Sequence, residues 1–389
     1  MPPEPSGSEG PGPLAGLRVL ELASLFAAPL VGAVLADMGA DVVKVEPPGG
    51  DQLRVLGGDA ERPGPWTLQS RNKRMITLDP STEPGRVLLH RLTAVADVVT
   101  LNHTTALLEK LECTYEDIAA RNPRAIVVNT TAFGPTGPYA SRTGNGSIAE
   151  AFAGLTHLLR SDDDELALTP VLFGDYLTAL AGVAGTLAAC YWRDAQGGRG
   201  QYVDLTMYEA VLALLGPQVV ALNGYPGGPA PAGEPPPRRT GLRGSFQAGD
   251  GRWVVATAYS DAQIQRLLEA VGVTVDPGAG SGGSPDLASL AAKWISTQDR
   301  DKVVEALVAA RIQVAPISEL ATLAADPQVQ HRASLVRVDR AGSGPVSFPR
   351  PAPTLSATPA SIRWADRPVG ADQEAVLHDW LGENSGDEK

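Results

Sequence analysis

Apolar residues fall along this chain in two alternating periods. Residues 17–22 and Asp41–Glu46 are short, mostly apolar runs, and each reads as a strand. Between them, residues 28–38 carry apolar positions at helical spacing, with Pro29 in the first turn and Gly39 just past the end. Strand, helix and strand of these lengths make a βαβ unit, and the right-handed crossover rule makes its strands parallel. The pattern predicts further strands over residues 75–78, Val98–Leu101 and residues 125–129, and a helix over Glu83–Val95. Such alternation predicts an α/β fold on a Rossmann-like, doubly wound parallel sheet.

Beyond residue 172 the pattern becomes a long apolar helix rich in small residues (Ala179, Ala181, Gly182, Ala184, Gly185, Ala188, Ala189), broken at Gly197 and Gly198. At its mouth stands Asp175, in Leu172-Phe173-Gly174-Asp175-Tyr176-Leu177. A carboxylate there meets unpaired helix N–H groups, which keep it ionised and hold it in one direction. Two roles fit that placement: an ordinary helix cap, or a nucleophile toward an activated acyl carbon.

A helix over residues 210–222 leads into a Pro- and Gly-rich linker, 225–240. A strand pair at 244–247 and 253–257 turns at Gly249-Asp250-Gly251, and helices follow over 262–271 and 287–294 around a Gly/Ser loop at 277–285. These predict a small α/β domain over 241–325. A second linking stretch near 326–332 precedes a late strand at 334–339 and extended, Pro-rich segments at 345–355 and 362–364. The expected organisation is a disordered lead-in (1–13), a large domain (14–224), the linker, the small domain, and a return to the large domain over 326–389.

The chain has 389 residues, 43% of them apolar, enough for two cores. A net charge of −12 leaves no basic surface for nucleic acid. Two cysteines, Cys113 and Cys190, suit a reducing compartment, and no signal peptide precedes the fold, so the expected location is the cytoplasm. No uninterrupted apolar run reaches membrane-spanning length, so no membrane partner is expected. The five histidines lack metal-ligand spacing, so no metal is expected. The first βα turn, residues 23–29, lacks Gly-x-Gly-x-x-Gly, and neither a Walker motif nor a Gly-x-Ser-x-Gly elbow is present. Glu46, ending the second strand, either holds a ribose or closes a solvated strand.

Several runs together resemble the family III CoA-transferases. They are Gly16-Leu17-Arg18-Val19-Leu20-Glu21-Leu22, Leu35 through Pro47, Asn72-Lys73-Arg74, Asn122-Pro123-Arg124, Phe133-Gly134-Pro135-Thr136-Gly137-Pro138-Tyr139 and Gly198-Arg199-Gly200-Gln201-Tyr202-Val203-Asp204. The match continues through Ala325-Asp326-Pro327-Gln328 and Glu374-Ala375-Val376-Leu377, in order along nearly the whole chain. The resemblance implies a CoA-binding domain made from both chain ends, a small domain between them, and two interlocked chains forming a homodimer. It implies that Asp175 is the catalytic aspartate, acylated in turn as anhydride, CoA thioester and second anhydride. Coenzyme A and acyl-CoA enter as substrate, with a carboxylic acid as partner and no tightly bound cofactor. The implied CoA contacts are Phe26, Ala27, Lys73, Arg74, Leu78, Asn102, His103, Lys110, Phe133 and Gly134. For Lys73 and Arg74 a solvated loop is the alternative, and for Phe26 packing against the sheet.

The chain departs from that pattern at four places. Thr104-Thr105-Ala106 replaces a Gly/Pro-rich turn, Lys110 stands where an arginine is common, Gly146 stands where an acid is common, and Phe26 replaces a residue polar in some transferases. The related racemases exchange an α-proton through a His/Asp pair and a Glu. Here those partner positions hold Asn145 and, near the Glu, Ser260. The expected function is CoA transfer between an acyl-CoA and a free carboxylic acid. The alternatives are an α-methylacyl-CoA racemase or epimerase, and a non-catalytic acyl-CoA-binding homodimer.

Overall fold

The computed structural model describes residues 12–56, 64–159, 165–221, 241–273, 286–340 and 344–383. The expected linker at 225–240, the loop at 277–285 and nearly all of the lead-in lie outside the described residues. The described chain divides into two compact units, one of residues 1–217 with 333–389, the other of 218–332.

In the first unit the chain runs β1 (Arg18–Glu21), α1 (Ala27–Asp37), β2 (Asp41–Glu46), α2 (Pro65–Ser70), β3 (Arg74–Thr77), α3 (Glu83–Val95), β4 (Val98–Leu101), α4 (Thr105–Lys110) and α5 (Tyr115–Arg121). It continues with β5 (Ile126–Thr131), α6 (Gly146–Ala153), α7 (Leu155–Leu158), α8 (Phe173–Ala195), β6 (Tyr202–Thr206) and α9 (Met207–Leu214), and α10 (Gly216–Ala221) starts in this unit and ends in the second. The six strands form one parallel sheet in the order β3-β2-β1-β4-β5-β6. Successive side chains of a strand point to opposite faces. Val19, Val42, Val98 and Ile126 therefore enter one core with α1 and α8, while Leu20, Val43, Val99 and Val127 enter the other with α3 and α5. A sheet covered on both faces needs unbroken apolar strands, which is why these segments read as runs.

The helix expected at 210–222 is two helices, α9 beginning earlier at Met207 and α10 at Gly216. Pro217 has no N–H to give and crowds the preceding turn, so the helix breaks before it. Among the described helices, α8, with 23 residues, is long and apolar enough to cross a membrane. It lies instead against α1 and the sheet through Ala179, Val183 and Ala189, and Gly182 admits Leu205 and Val31 where a Cβ would stand 2.5 Å and 2.9 Å away.

The second unit carries β7 (Leu242–Gln247), β8 (Trp253–Ala258), α11 (Asp261–Ala270), α12 (Leu287–Ile295), α13 (Arg300–Ala309), β9 (Gln313–Pro316), α14 (Leu320–Leu323) and α15 (Pro327–His331). Its antiparallel sheet, β7-β8-β9, buries Val254, Ala256 and Ala258 against Leu267, Ile295, Val303 and Leu307. The remaining elements belong to the first unit: β10 (Leu335–Arg340) paired antiparallel with β11 (Gly344–Pro349), and α16 (Gln373–Leu381). β3 is an edge strand, and the C-terminal segment covers it. Met75 and Thr77 donate their N–H groups to Asp372 Oδ2 and Gln373 Oε1, while Val376 and Trp380 enter the core below. Edge donors are thus satisfied within the chain.

Candidate active site

The sheet order reverses between β1 and β4, and in open parallel sheets ligands bind beyond the strand ends at such a reversal. Asn102, just after β4, bridges the loops that follow the two strands. Its Oδ1 accepts the Ser24 N–H at 3.1 Å and its Nδ2 donates to the Ser24 carbonyl at 2.7 Å. His103 beside it has its imidazole pKa lowered, chiefly by burial, so it is neutral at pH 7. Leu25 takes a left-handed φ of 63°, reversing the chain so that Phe26 caps α1 and Ala27 opens it. Phe26 packs on Leu53, Trp66 and Met75, and its carbonyl accepts from Gln69 Nε2.

Beneath this turn lies a layer of buried charge. Lys44 Nζ pairs with Glu21 and Asp51 at 3.2 Å and 2.9 Å, and Lys73 Nζ with Glu21 at 2.7 Å. The same two ammonium groups donate to the carbonyls of Ala23 and Pro29, which flank the turn. Ionisable residues inside the apolar runs Leu20-Glu21-Leu22 and Val43-Lys44-Val45 were the available signal, because charges are buried only with partners. Glu46 is likewise neither a ribose ligand nor solvated: it is buried and holds Arg54 at 2.7 Å through both oxygens.

Asp175 sits in the first turn of α8, 7% exposed. Three backbones converge on it. In α1 the N-cap residue Phe26 makes no side-chain cap hydrogen bond, and the Ala27 N–H at the helix start acts electrostatically on the Asp175 carboxylate, lowering its pKa. In α6 the first residue is Gly146, where a Cβ would stand 2.2 Å from Asp175 Oδ2. In α8 a Cβ on Gly174 would stand 2.8 Å from the Gly146 carbonyl oxygen. With glycine at position 146, the Asp175 carboxylate occupies the space a side chain there would fill. Asn145, where a proton-exchanging His would be needed, caps α6 through Oδ1 to the Ile148 N–H, and Ser260 caps α11.

Glu150, one turn further along α6, is 2% exposed. Its Oε1 accepts the Gly174 N–H at 2.8 Å and its Oε2 accepts from Thr169 Oγ1 at 2.6 Å. Burial first, and the Glu150 charge second, push the Asp175 carboxyl up to about 6, against the N–H groups of Ala27 and Asp175 itself. At pH 7 it is still an anion, and a more basic one than an ordinary aspartate. The helix end alone, as read from sequence, would have lowered this value; desolvation outweighs it.

The structure places Phe26, Ala27, Asn102, His103, Phe133 and Gly134 at the C-terminal ends of β1, β4 and β5, on one edge of the sheet. Gly134 has φ 88°, its N–H given to Thr131 Oγ1, and Phe133 stacks edge-on with Phe152 of α6 at 5.1 Å between ring centroids. Lys110 is exposed in the last turn of α4, behind Thr104, which caps that helix. Leu78 is buried in the core between sheet and α3. Lys73 and Arg74 enter from the start of β3, Lys73 reaching beneath the first βα turn to the Pro29 carbonyl. Lys73 is fully buried in the charge layer, with its pKa lowered to about 8 chiefly by burial, and Arg74 pairs with Asp41 and Asp379. Neither is in a solvated loop, and both charges are paired with carboxylates within the fold.

A carboxylate of raised basicity, held by backbone N–H groups, can attack an activated carbonyl carbon and then leave from it. A family model described as CoA-transferase family III matches residues 14–373. The succinyl-CoA–L-malate CoA-transferase beta subunit of Chloroflexus aurantiacus is 34% identical, over 95% of this chain and 94% of its own. The succinyl-CoA–D-citramalate CoA-transferase of the same organism is 32% identical, over 97% and 96%. Among solved structures, a CaiB/BaiF family protein from Brucella suis superposes with a TM-score of 0.80 at 28% identity, covering 95% of this chain and all of that one.

Proposed function

Because the chain belongs to CoA-transferase family III, we propose that it moves coenzyme A from an acyl-CoA thioester to a free carboxylic acid with Asp175 as the acyl-accepting nucleophile. Asp175 Oδ bonds to the thioester carbonyl carbon, the C–S bond breaks, and CoA leaves as the thiolate. The thiolate returns to the Asp175 carbonyl carbon of the mixed anhydride, releasing the donor acid and leaving an aspartyl-CoA thioester. The acceptor carboxylate attacks that thioester, and the thiolate finally takes the acceptor acyl group, restoring the Asp175 carboxylate. No net proton is consumed.

One observation carries this reading: a buried carboxylate, more basic than usual yet ionised at pH 7, is confined at the close approach of Gly146 and Gly174 beside the start of α1, at the turn where CoA contact is expected. The relatives described above are named for succinyl-CoA, so succinyl-CoA is the donor to test first, with hydroxylated dicarboxylates as acceptors. The sheet edge formed by Phe26, Ala27, Asn102, His103, Phe133 and Gly134 would hold CoA, and Lys110 its phosphate. α8 leaves Tyr176, Leu180 and Tyr191 exposed along one side, and a patch of that kind is what a second copy would cover in a homodimer. Both cysteines are free thiols, in keeping with a cytoplasmic setting.

The test is to incubate the protein with succinyl-CoA and hydroxylamine and map the adduct by mass spectrometry. A hydroxamate on Asp175 is expected, and Asp175→Ala should abolish transfer while retaining CoA affinity. Product formation with no mass ever added at Asp175, or turnover surviving that substitution, overturns the assignment.

A further inference from the structure

Glu150 has no part in the chemistry written above, yet it is the charged group that acts on the nucleophile. Its carboxylate and that of Asp175 lie on either side of the contact between Gly146 and Gly174. The Asp175 Oδ2 is 2.2 Å from the place of a Gly146 Cβ, and Glu150 Oε1 is 3.1 Å from that of Gly174. The partners of Glu150 are both neutral, a backbone N–H and a hydroxyl, so its charge is solvated by hydrogen bonds without being cancelled. Among the described residues the other elements packed there add no buried compensating cation, and α7, which packs on α6, carries only the exposed His157. α1 presents the Ala27 backbone, and its Asp37 is paired with Arg71 farther along. α9 buries Met207 and Val211, with Tyr208 and Glu209 at its outer side. On α8 itself the next ionisable group is Tyr176.

We propose that Glu150 is a positioning residue for acyl transfer, whose buried charge destabilises the resting Asp175 carboxylate relative to the acylated forms while its Gly174 hydrogen bond fixes the first turn of α8. This rests on the reading of Asp175 as the nucleophile. When the Asp175 oxygen bonds to the acyl carbon and the C–S bond breaks, the negative charge moves off Asp175 to the departing sulfur. Repulsion from Glu150 is released as that happens, so it acts on the ground state more than on the transition state. A more basic nucleophile is also a better one, provided it remains ionised at the working pH.

Glu150→Gln keeps the shape and the acceptor for Gly174 while removing the charge. The rate of hydroxamate formation on Asp175 should be followed from pH 4.5 to 8.5 in the wild type and the variant. The acid limb of the variant is expected to fall by on the order of one pH unit. Its rate at pH 8, where Asp175 is ionised in both proteins, should be about threefold lower, as a Brønsted slope near 0.5 requires, and KM for the CoA thioester should change less than about twofold. The two profiles therefore converge or cross toward acid. Glu150→Asp retains the charge and should keep the limb near the wild-type position.

A variant slowed equally at every pH, with its limb unmoved, overturns the proposal and leaves Glu150 a scaffold residue. If the Gln variant does not fold, Glu150→Asp decides: a limb near pH 6 supports the charge, one dropping to the ordinary carboxylate range overturns it. Failure of the wild type to form a hydroxamate at all would instead overturn the assignment of Asp175.

Discussion

At Gly146 a single hydrogen atom determines where the nucleophile stands. A methyl group there would lie 2.2 Å from Asp175 Oδ2 and 2.9 Å from its Cγ, so the carboxylate must turn or α6 must retreat. Gly146→Ala is expected to lower kcat roughly 10²-fold, the loss typical of a displaced reacting group, with CoA affinity within about twofold. Steady-state kinetics and calorimetric titration of CoA check this; an unchanged kcat would refute the tight placement. Asp175 itself carries a stability consequence. Its carboxyl, raised to about 6 from 3.8, binds its proton more tightly in the folded chain than in the unfolded one. The stabilisation is thus complete below pH 3.8 and lost as pH rises through about 6. Asp175→Asn should therefore abolish transfer and raise stability at pH 7.5 by on the order of 1 kcal/mol. The gain should vanish near pH 4, and thermal unfolding at both values measures it.

The strands show how far a sequence can be read and where reading stops. β1 to β5, α1 and α3 are legible because their signals are local: apolar runs for a doubly covered sheet, Pro29 at a helix start, Gly39 at a helix end. β6 is not legible as a strand, since Tyr202-Val203-Asp204 looks polar until Val127 and Val128 are beside it. α6 is not legible either, because its start depends on the Asn145 cap and its apolar face is short. Asp175 was legible from the small-residue helix behind it, whereas Glu150 was not, because its meaning depends on a neighbour 25 positions away. The same holds for Lys73, whose partner Glu21 lies on another strand. Lys73→Met leaves Glu21 with Lys44 alone, and a broken buried pair costs about 3 kcal/mol. A large fall in Tm is expected, with KM for CoA little altered where the variant is still folded. A raised KM with unchanged Tm would return Lys73 to the role of a phosphate ligand.

The molecule as assembled here leaves one side of α8 bare, with Leu180 54% and Tyr191 64% exposed. A homodimer sedimenting at about twice the 40.5 kDa chain mass is expected. Leu180→Glu should weaken it by placing a charge in a surface that must lose its water. A wild-type protein that sediments as a single chain at micromolar concentration would refute that proposal.

The closure of β3 by Asp372, Gln373 and α16 sets the order in which the protein can be completed. Residues 74–77 leave the ribosome early, but the groups that occupy their outward N–H donors are nearly three hundred residues downstream. Throughout synthesis the sheet has an open margin able to template pairing with any other strand nearby. Shortening the chain before residue 372 would make that interval permanent, and the damage would be seen as aggregation in the nascent product, far from the chemistry at Asp175.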